Sequence, residues 1–328
     1  MSMPKNEYVT EYLQYGGQAV LEGVMMRSPH YYSIACRAPN GEIVVTTQPV
    51  PGTWFGKHKL LKLPFVRGTF AIISSVALGI QALRFASNVQ IDPRYAEGGE
   101  SDTQAGKAPE SPHEGAVAAT MVVSLALGLF IFIFLPNLLA ELMTGHGDRN
   151  GTLKNLITEV IKMIFFLGYI SLISLMPAIR RLFHYHGAEH KAINTLEALN
   201  PLEVEYCTAS TRLHPRCGTS FAIIVLIISL LIMTFVPRYP IAGLSLILNV
   251  VVRFFVELLI LPIIAGIGYE LIRFAGKFRS DKFVMLLFTP GLWSQYLTTR
   301  EPEKDQIEVA LASLKSVIEA EKTYSKSA

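Results

Sequence analysis

Thr219-Ser-Phe-Ala-Ile-Ile-Val-Leu-Ile-Ile-Ser-Leu-Leu-Ile-Met-Thr-Phe-Val236 contains no charged residue. As a helix this run is about 27 Å long, close to the ~30 Å hydrocarbon core of a bilayer. The chain between Glu114 and Glu141 is equally free of charge. Two more apolar stretches, about Leu153 to Met176 and Gly243 to Lys277, make four expected spans. The last would measure about 51 Å as a helix, so it must tilt, kink at Pro262 or project beyond the bilayer.

The whole chain agrees with this reading. Of its 328 residues, 51% are hydrophobic and 17% charged, whereas soluble domains carry about 25% charged residues. A soluble enzyme and a disordered chain are both excluded. The expected class is an all-α integral membrane protein. It has about four transmembrane helices, one interfacial or re-entrant helix, a small β-containing N-terminal cytoplasmic module and an amphipathic C-terminal helix. The lipid bilayer is its first partner. A net charge of +3, without a dense basic tract, gives no reason to expect nucleic acid. Residues 1–10 lack an apolar core of signal-peptide length. Three cysteines, Cys36, Cys207 and Cys217, suit thiols in a reducing compartment better than a disulfide framework.

Residues 1–66 read as the β-rich module, with two strands around Asn40-Gly41 and a glycine-rich, turn-prone stretch from Tyr15 to Arg27. Residues 67–87 are helical but interrupted by Ser, Gly, Gln81 and Arg84, which suits an interfacial or re-entrant helix. Residues 88–115 read as an acidic disordered linker. Spans one and two occupy 116–177, and spans three and four occupy 219–276, with a His/Cys loop at 178–218 between them. The tail, 277–328, holds Ile307, Leu311, Leu314, Val317 and Ile318 at helical spacing. Lys and Arg number six in 1–66, five in 178–218 and eight from Lys277 onward, against one each in 144–152 and 237–242. The positive-inside rule therefore places both termini and the His/Cys loop in the cytoplasm.

Four of the eight histidines, His184, His186, His190 and His214, lie in that loop with Cys207 and Cys217. On a helix, His186 and His190 are i and i+4, a spacing that lets two imidazoles bind one zinc ion. Asn194 and Glu197 continue the same face as supporting groups. His186-x-x-Glu189-His190 also fits a pattern in which two histidines bind zinc and the glutamate activates water, with Glu270 as a third ligand by that analogy. His214 and Cys217 offer a competing or completing pair of ligands. The implied cofactor is zinc or another divalent transition metal. The blander alternative is that these histidines anchor helix ends in lipid headgroups.

Charge also enters the spans. Ser245, Asn249, Arg253 and Glu257 are four residues apart on one helical stripe, with Glu257 the expected partner of Arg253. Such a stripe must face protein or a wet cavity. It reads as an interhelical lock, or as a polar groove opening to the cytoplasm and extended by Glu159, Lys162, Glu270 and Arg273.

Four words of sequence carry a resemblance: Gly16-Gly-Gln-Ala-Val-Leu-Glu-Gly-Val-Met-Met-Arg27, Tyr185-His-Gly-Ala-Glu-His-Lys191, His214-Pro-Arg-Cys-Gly-Thr-Ser220, and Pro290-Gly-Leu-Trp with Thr298-Thr-Arg-Glu-Pro302. The chain resembles the YqhQ-like family of bacterial multi-pass membrane proteins, described as predicted metal-dependent enzymes. The resemblance implies a protein of the bacterial cell membrane with His186, Glu189, His190, His214 and Cys217 as its site. It names no substrate. Glu22, Arg27 and Arg300 are charged residues in turn-rich words and are expected to converge on the histidines.

Two functional classes follow. One is a metal-dependent hydrolase at the cytoplasmic face, with Glu189 activating water. The other is a non-enzymatic assembly or biogenesis factor, its groove and basic cap docking another membrane protein or the membrane insertion machinery. A transporter is disfavoured by the low span count and the absence of an internal repeat.

Overall fold

The computed structural model describes residues 15–51, 63–96, 114–145, 151–241, 243–278 and 281–327. Four strands, β1 (Gly16–Val20), β2 (Gly23–Arg27), β3 (Tyr31–Arg37) and β4 (Ile43–Pro49), form an antiparallel sheet in sequential order. The expected turn at Asn40-Gly41 closes β3 on β4, with Arg37 opposite Ile43 and Gly41 at a φ of 89°. The stretch read as turn-prone, Tyr15 to Arg27, instead forms a second hairpin, with Glu22 taking the positive φ of its turn. Its apolar residues explain this: Val24 and Met26 bury on one face of the sheet, Val20 and Met25 on the other. At Gly23 a Cβ would sit 2.3 Å from the Ala35 carbonyl oxygen, so only glycine permits this strand spacing.

Both faces of the sheet are covered by helices. The apolar stripe of α10 (Lys304–Ser327), Ile307, Leu311, Leu314, Val317 and Ile318, packs with Val24, Met26 and Ala35. Leu78, Ala82, Ala86 and Val89 of α1 (Val66–Ile91) pack on the opposite face. That packing carries α1 past residue 87, where the linker was expected to begin, and a short 3-10 turn follows at Pro93–Tyr95. The remainder of the expected linker, residues 97–113, lies outside the described residues.

The apolar helices are α2 (Glu114–Leu129) continuing into α3 (Leu135–Thr144), α4 (Gly151–Ile173), α7 (Gly218–Phe235) and α8 (Leu246–Lys277). Between α2 and α3 lies a single π-helical turn, Phe130–Phe134. Pro136 cannot donate a hydrogen bond to the preceding turn, and the Asn137 amide donates to Ile133 O at 3.0 Å. With α1, five described helices are long and apolar enough to cross a membrane. The fifth, α1, was expected to be interfacial or re-entrant. Its first turn packs on α8, where Gly68 and Gly266 leave room for Tyr269 and the Phe65 carbonyl.

The segment expected to be a loop, 178–218, is largely helical: α5 (Pro177–Glu197) and the short α6 (Val204–Ala209). The expected cytoplasmic segment after Lys277 opens with another apolar helix, α9 (Lys282–Thr298), which packs along α7.

Candidate metal centre and the buried ion network

Pro177 starts α5 and lets it present His186 and His190 from one face. Gly187 lies between them against the α9–α10 connection. This close approach brings Thr298 O to 2.8 Å from His186 Nδ1. On the other side Asn194 donates to Thr211 O and Leu213 O, and Lys191 donates to Thr208 O and Ser210 O. These pegs hold the chain after α6 along α5 and place Arg212 O 2.6 Å from His190 Nδ1. Both Nδ1 atoms thus donate to main-chain carbonyls, which makes each Nε2 the atom that would ligate a metal once it carries no proton.

Cys217 caps the start of α7, and its Sγ lies 3.2 Å from His186 Nε2. Ligand atoms of His186, His190 and Cys217 all fall within 4.8 Å of one another. Sulfur and nitrogen on one tetrahedral zinc stand roughly 3.5 Å apart, given bond lengths of ~2.3 and ~2.0 Å. The donor set, its spacing and the carbonyl-fixed tautomers therefore fit a zinc-type ion. Burial opposes ionisation of Cys217, but His186 and His190 outweigh it and hold the thiol well below its ordinary value. Burial likewise opposes charge on His186, yet the Cys217 sulfur and Glu189 push its pKa up to about 9.

Glu189 is buried beside the triad, with Oε2 4.0 Å from His186 Nε2. It accepts the Gly17 amide, and a Cβ at Gly17 would lie 2.7 Å from Glu189 Cγ, so β1 forms the wall behind this carboxylate. Burial raises its pKa, partly opposed by His190 and His186.

The fourth expected ligand stands apart. His214 Nε2 points to Glu197 Oε2 at 3.4 Å, and Glu197 also pairs with Arg216. Burial, then Arg216 and His190, depress the His214 pKa, so the ring is neutral. Its main chain is held by Gln295, which accepts His214 N–H at 2.8 Å and donates to His214 O and Ser220 Oγ. Sequence reasoning overlooked Gln295. Its signal is the one amide, fully buried, in a mostly apolar helix.

Residues 63–320 match the family described as "Protein of unknown function (DUF1385)". The chain is also 36% identical over 313 residues to "Uncharacterized protein YqhQ" of Bacillus subtilis (strain 168), covering 94% of this chain and 93% of that one. The chain belongs to the DUF1385 family. No solved structure matches it.

Other family words hold residues that support the fold around the triad. Glu22 pairs with Arg181 and accepts the Tyr185 hydroxyl, fastening the β1–β2 turn to α5. Arg300 lies with its main chain against Gly187 and donates its N–H to Phe183 O. His184 Nδ1 bonds Glu301 O. Glu270, expected near the histidines or in the groove, is instead taken up by Arg67 of α1 at 2.6 and 2.7 Å. Local spacing on α8 carries no sign of so distant a partner.

The polar stripe of α8 belongs to the opposite end of the bundle. Arg253 donates to Met233 O and Pro237 O, about 24 Å or more along α7 from Cys217. Lys162 bridges Glu159 at 2.7 Å and Glu257 at 2.5 Å, and Glu257 also accepts from Asn137. Arg238 bonds Glu141, Asn137 and Thr158, and Asn249 turns to Leu244 O. The stripe is thus filled by this chain's own side chains from α3, α4 and the α7–α8 connection.

Proposed function

We propose that the protein is a metal-dependent hydrolase of the bacterial cell membrane, with its site at the cytoplasmic face. In this reading α2–α3, α4, α7 and α8 span the bilayer, α1 lies in the interface, and both termini are cytoplasmic. The α1 assignment is supported by its last turns, which cover the sheet instead of facing lipid. The observation that carries the function is the convergence of His186, His190 and Cys217 with both Nδ1 atoms tied to carbonyls.

Zinc or another divalent transition metal bound there would supply Lewis-acid activation of water. Thr298 O and Arg212 O orient the two imidazoles, and Cys217 brings the negative charge. Glu189 is the general base, because burial raises its proton affinity and Gly17 holds it beside the triad. His214 and Glu197 act through the position of the 214–217 turn.

The test is metal analysis of the purified protein. Wild type is expected to carry about one zinc-type ion per chain, and His186→Ala/His190→Ala none. A wild type without stoichiometric metal removes this reading.

A further inference from the structure

From Phe283 to Thr299 the chain carries no charged residue. On α9 the few polar side chains of this stretch, Ser294, Gln295 and Thr298, are buried. Outward stand Phe283, Leu286, Leu287, Trp293 and Tyr296, each more than half exposed. Together with the exposed Pro290 they follow the i, i+3, i+4, i+7 spacing of one helical face. The stripe is about 20 Å long. A continuous apolar surface of this kind marks contact with another apolar body.

Both ends of α9 lie toward the same end of the bundle. A Cβ on Gly276 would sit 2.5 Å from Arg216 Cδ, so α8 closes beside the turn that begins α7. The stretch from Lys277 to Lys282 then reaches at most about 17 Å, well short of a ~30 Å crossing. At its other end α9 returns to that turn: Gln295 Nε2 lies 2.6 Å from Ser220 Oγ, and the Thr298 hydroxyl 3.2 Å from that of Thr219. Between the ends, Phe288 joins the apolar cluster of Ile224 and Ile228, about 9 and 15 Å along α7 from Gly218. Both α7 and α8 are long and apolar enough to cross a membrane, and α9 packs along α7. Charge bounds the stripe at each end. Asp281 caps the helix by accepting the Phe283 and Val284 amides, and Lys282 is exposed. At the far end the Arg212 guanidinium stacks on Tyr296 at 5.3 Å. Trp and Tyr beside a cation are the composition of a membrane–water interface.

We propose that α9 is embedded in the leaflet on the side of the triad, with its stripe against acyl chains and its ends among the headgroups. In the orientation proposed above this is the cytoplasmic leaflet. The inference needs no metal. Lipid is the occupant that fits, because the stripe is the outer side of a helix laid on a candidate span and is bounded by charge and interfacial aromatics. Part of the segment after Lys277 then lies within the bilayer. Thr298, two residues past Tyr296, holds His186 through its carbonyl at 2.8 Å. The triad accordingly stands at headgroup depth.

Trp54 and Trp293 are the two tryptophans of the chain, so α9 carries its own probe. Full-length Trp54→Phe protein is placed in nanodiscs of phosphatidylcholine brominated near the carbonyl end or near the methyl end of the acyl chains, and iodide is added to the water. Trp293 is expected to lose at least half of its emission to bromine near the carbonyl end, less to bromine near the methyl end and little to iodide. Leu287→Trp, made with Trp54→Phe and Trp293→Phe, reports from the middle of the stripe and should also be quenched by the lipid. Quenching of both probes by iodide but not by brominated lipid puts the stripe in water and overturns the proposal. Emission untouched by either quencher puts it against protein, a second copy or another segment of this chain, and overturns it as well. If Trp54→Phe does not fold, lipid quenching is read as the difference between wild type and Trp293→Phe, and equal quenching of the two overturns it.

Discussion

The carbonyl oxygen of Arg300 occupies the space that a side chain at Gly187 would need: a Cβ there would sit 2.0 Å from it. The colliding atom is backbone, so it cannot rotate aside. The same segment supplies Thr298 O to His186 Nδ1. Gly187→Ala is therefore expected to push this segment off α5 and release the His186 ring. Loss of an outer partner of a metal histidine costs about 10- to 100-fold in affinity. Zinc competition against a chromophoric chelator checks it, and an unchanged affinity would show that the carbonyl does not orient the ring.

Gln295 satisfies both main-chain groups of His214 and the Ser220 hydroxyl from a fully buried position. Gln295→Leu keeps the volume roughly but orphans a buried donor and acceptor. A loss of ~2–4 kcal/mol is expected from two such groups. Because His214 leads directly into Cys217, metal affinity should fall with stability. Denaturation in mild detergent and chelator competition measure the two effects separately.

These two residues show where sequence reading succeeds and stops. The α10 stripe was legible because Ile307, Leu311, Leu314 and Val317 face a protein core with water on the other side. In α9 the polarity is reversed. Ser294, Gln295 and Thr298 point inward, while Phe283, Leu286, Leu287 and Trp293 are exposed. A helix of this kind is short of a span and lacks a polar outer face, so it resembled an ordinary tail. The i, i+4 spacing of His186 and His190 was readable locally. The choice of Cys217 over His214 as third ligand depends on pegs from Lys191 and Asn194 to a distant segment, which no spacing encodes. The Ser245–Glu257 stripe was visible as polar, but its burial depends on α3, α4 and Arg238.

Lys162 neutralises two carboxylates from different helices at once. Lys162→Met is expected to destabilise the bundle by ~3–5 kcal/mol, because buried Glu159 then keeps only the Ser229 hydroxyl, and Glu257 is left with Arg253 at 3.4 Å and the Asn137 amide. Replacing all three, with Glu159→Gln and Glu257→Gln added, should recover much of that loss. Unfolding in mixed micelles with increasing dodecyl sulfate would compare the variants. A triple variant no better than Lys162→Met would mean that the lysine acts through packing rather than charge.

Glu321 fastens the end of α10 to the sheet: it accepts from Ser28 Oγ at 2.6 Å and bonds His30 Nδ1 at 2.6 Å, with His30 stacked on Tyr324. Burial raises the pKa of this carboxyl, but the bonds from Ser28 and His30 outweigh it and hold it below its ordinary 4.5. A depressed carboxylate contributes stability that is present above its unfolded value and lost as pH falls through the folded one. The last turns of α10 should therefore be protected at neutral pH and fray in acid below about 4.5. Glu321→Gln should fray already at pH 7, by ~1 kcal/mol, since it loses the charge that strengthens both bonds. Hydrogen exchange of residues 314–324 reads this directly, after correction for the intrinsic pH dependence of exchange. Wild type and variant should differ at pH 7 and converge in acid. A gap that persists below the folded value would place the fastening in contacts other than the ionised carboxylate.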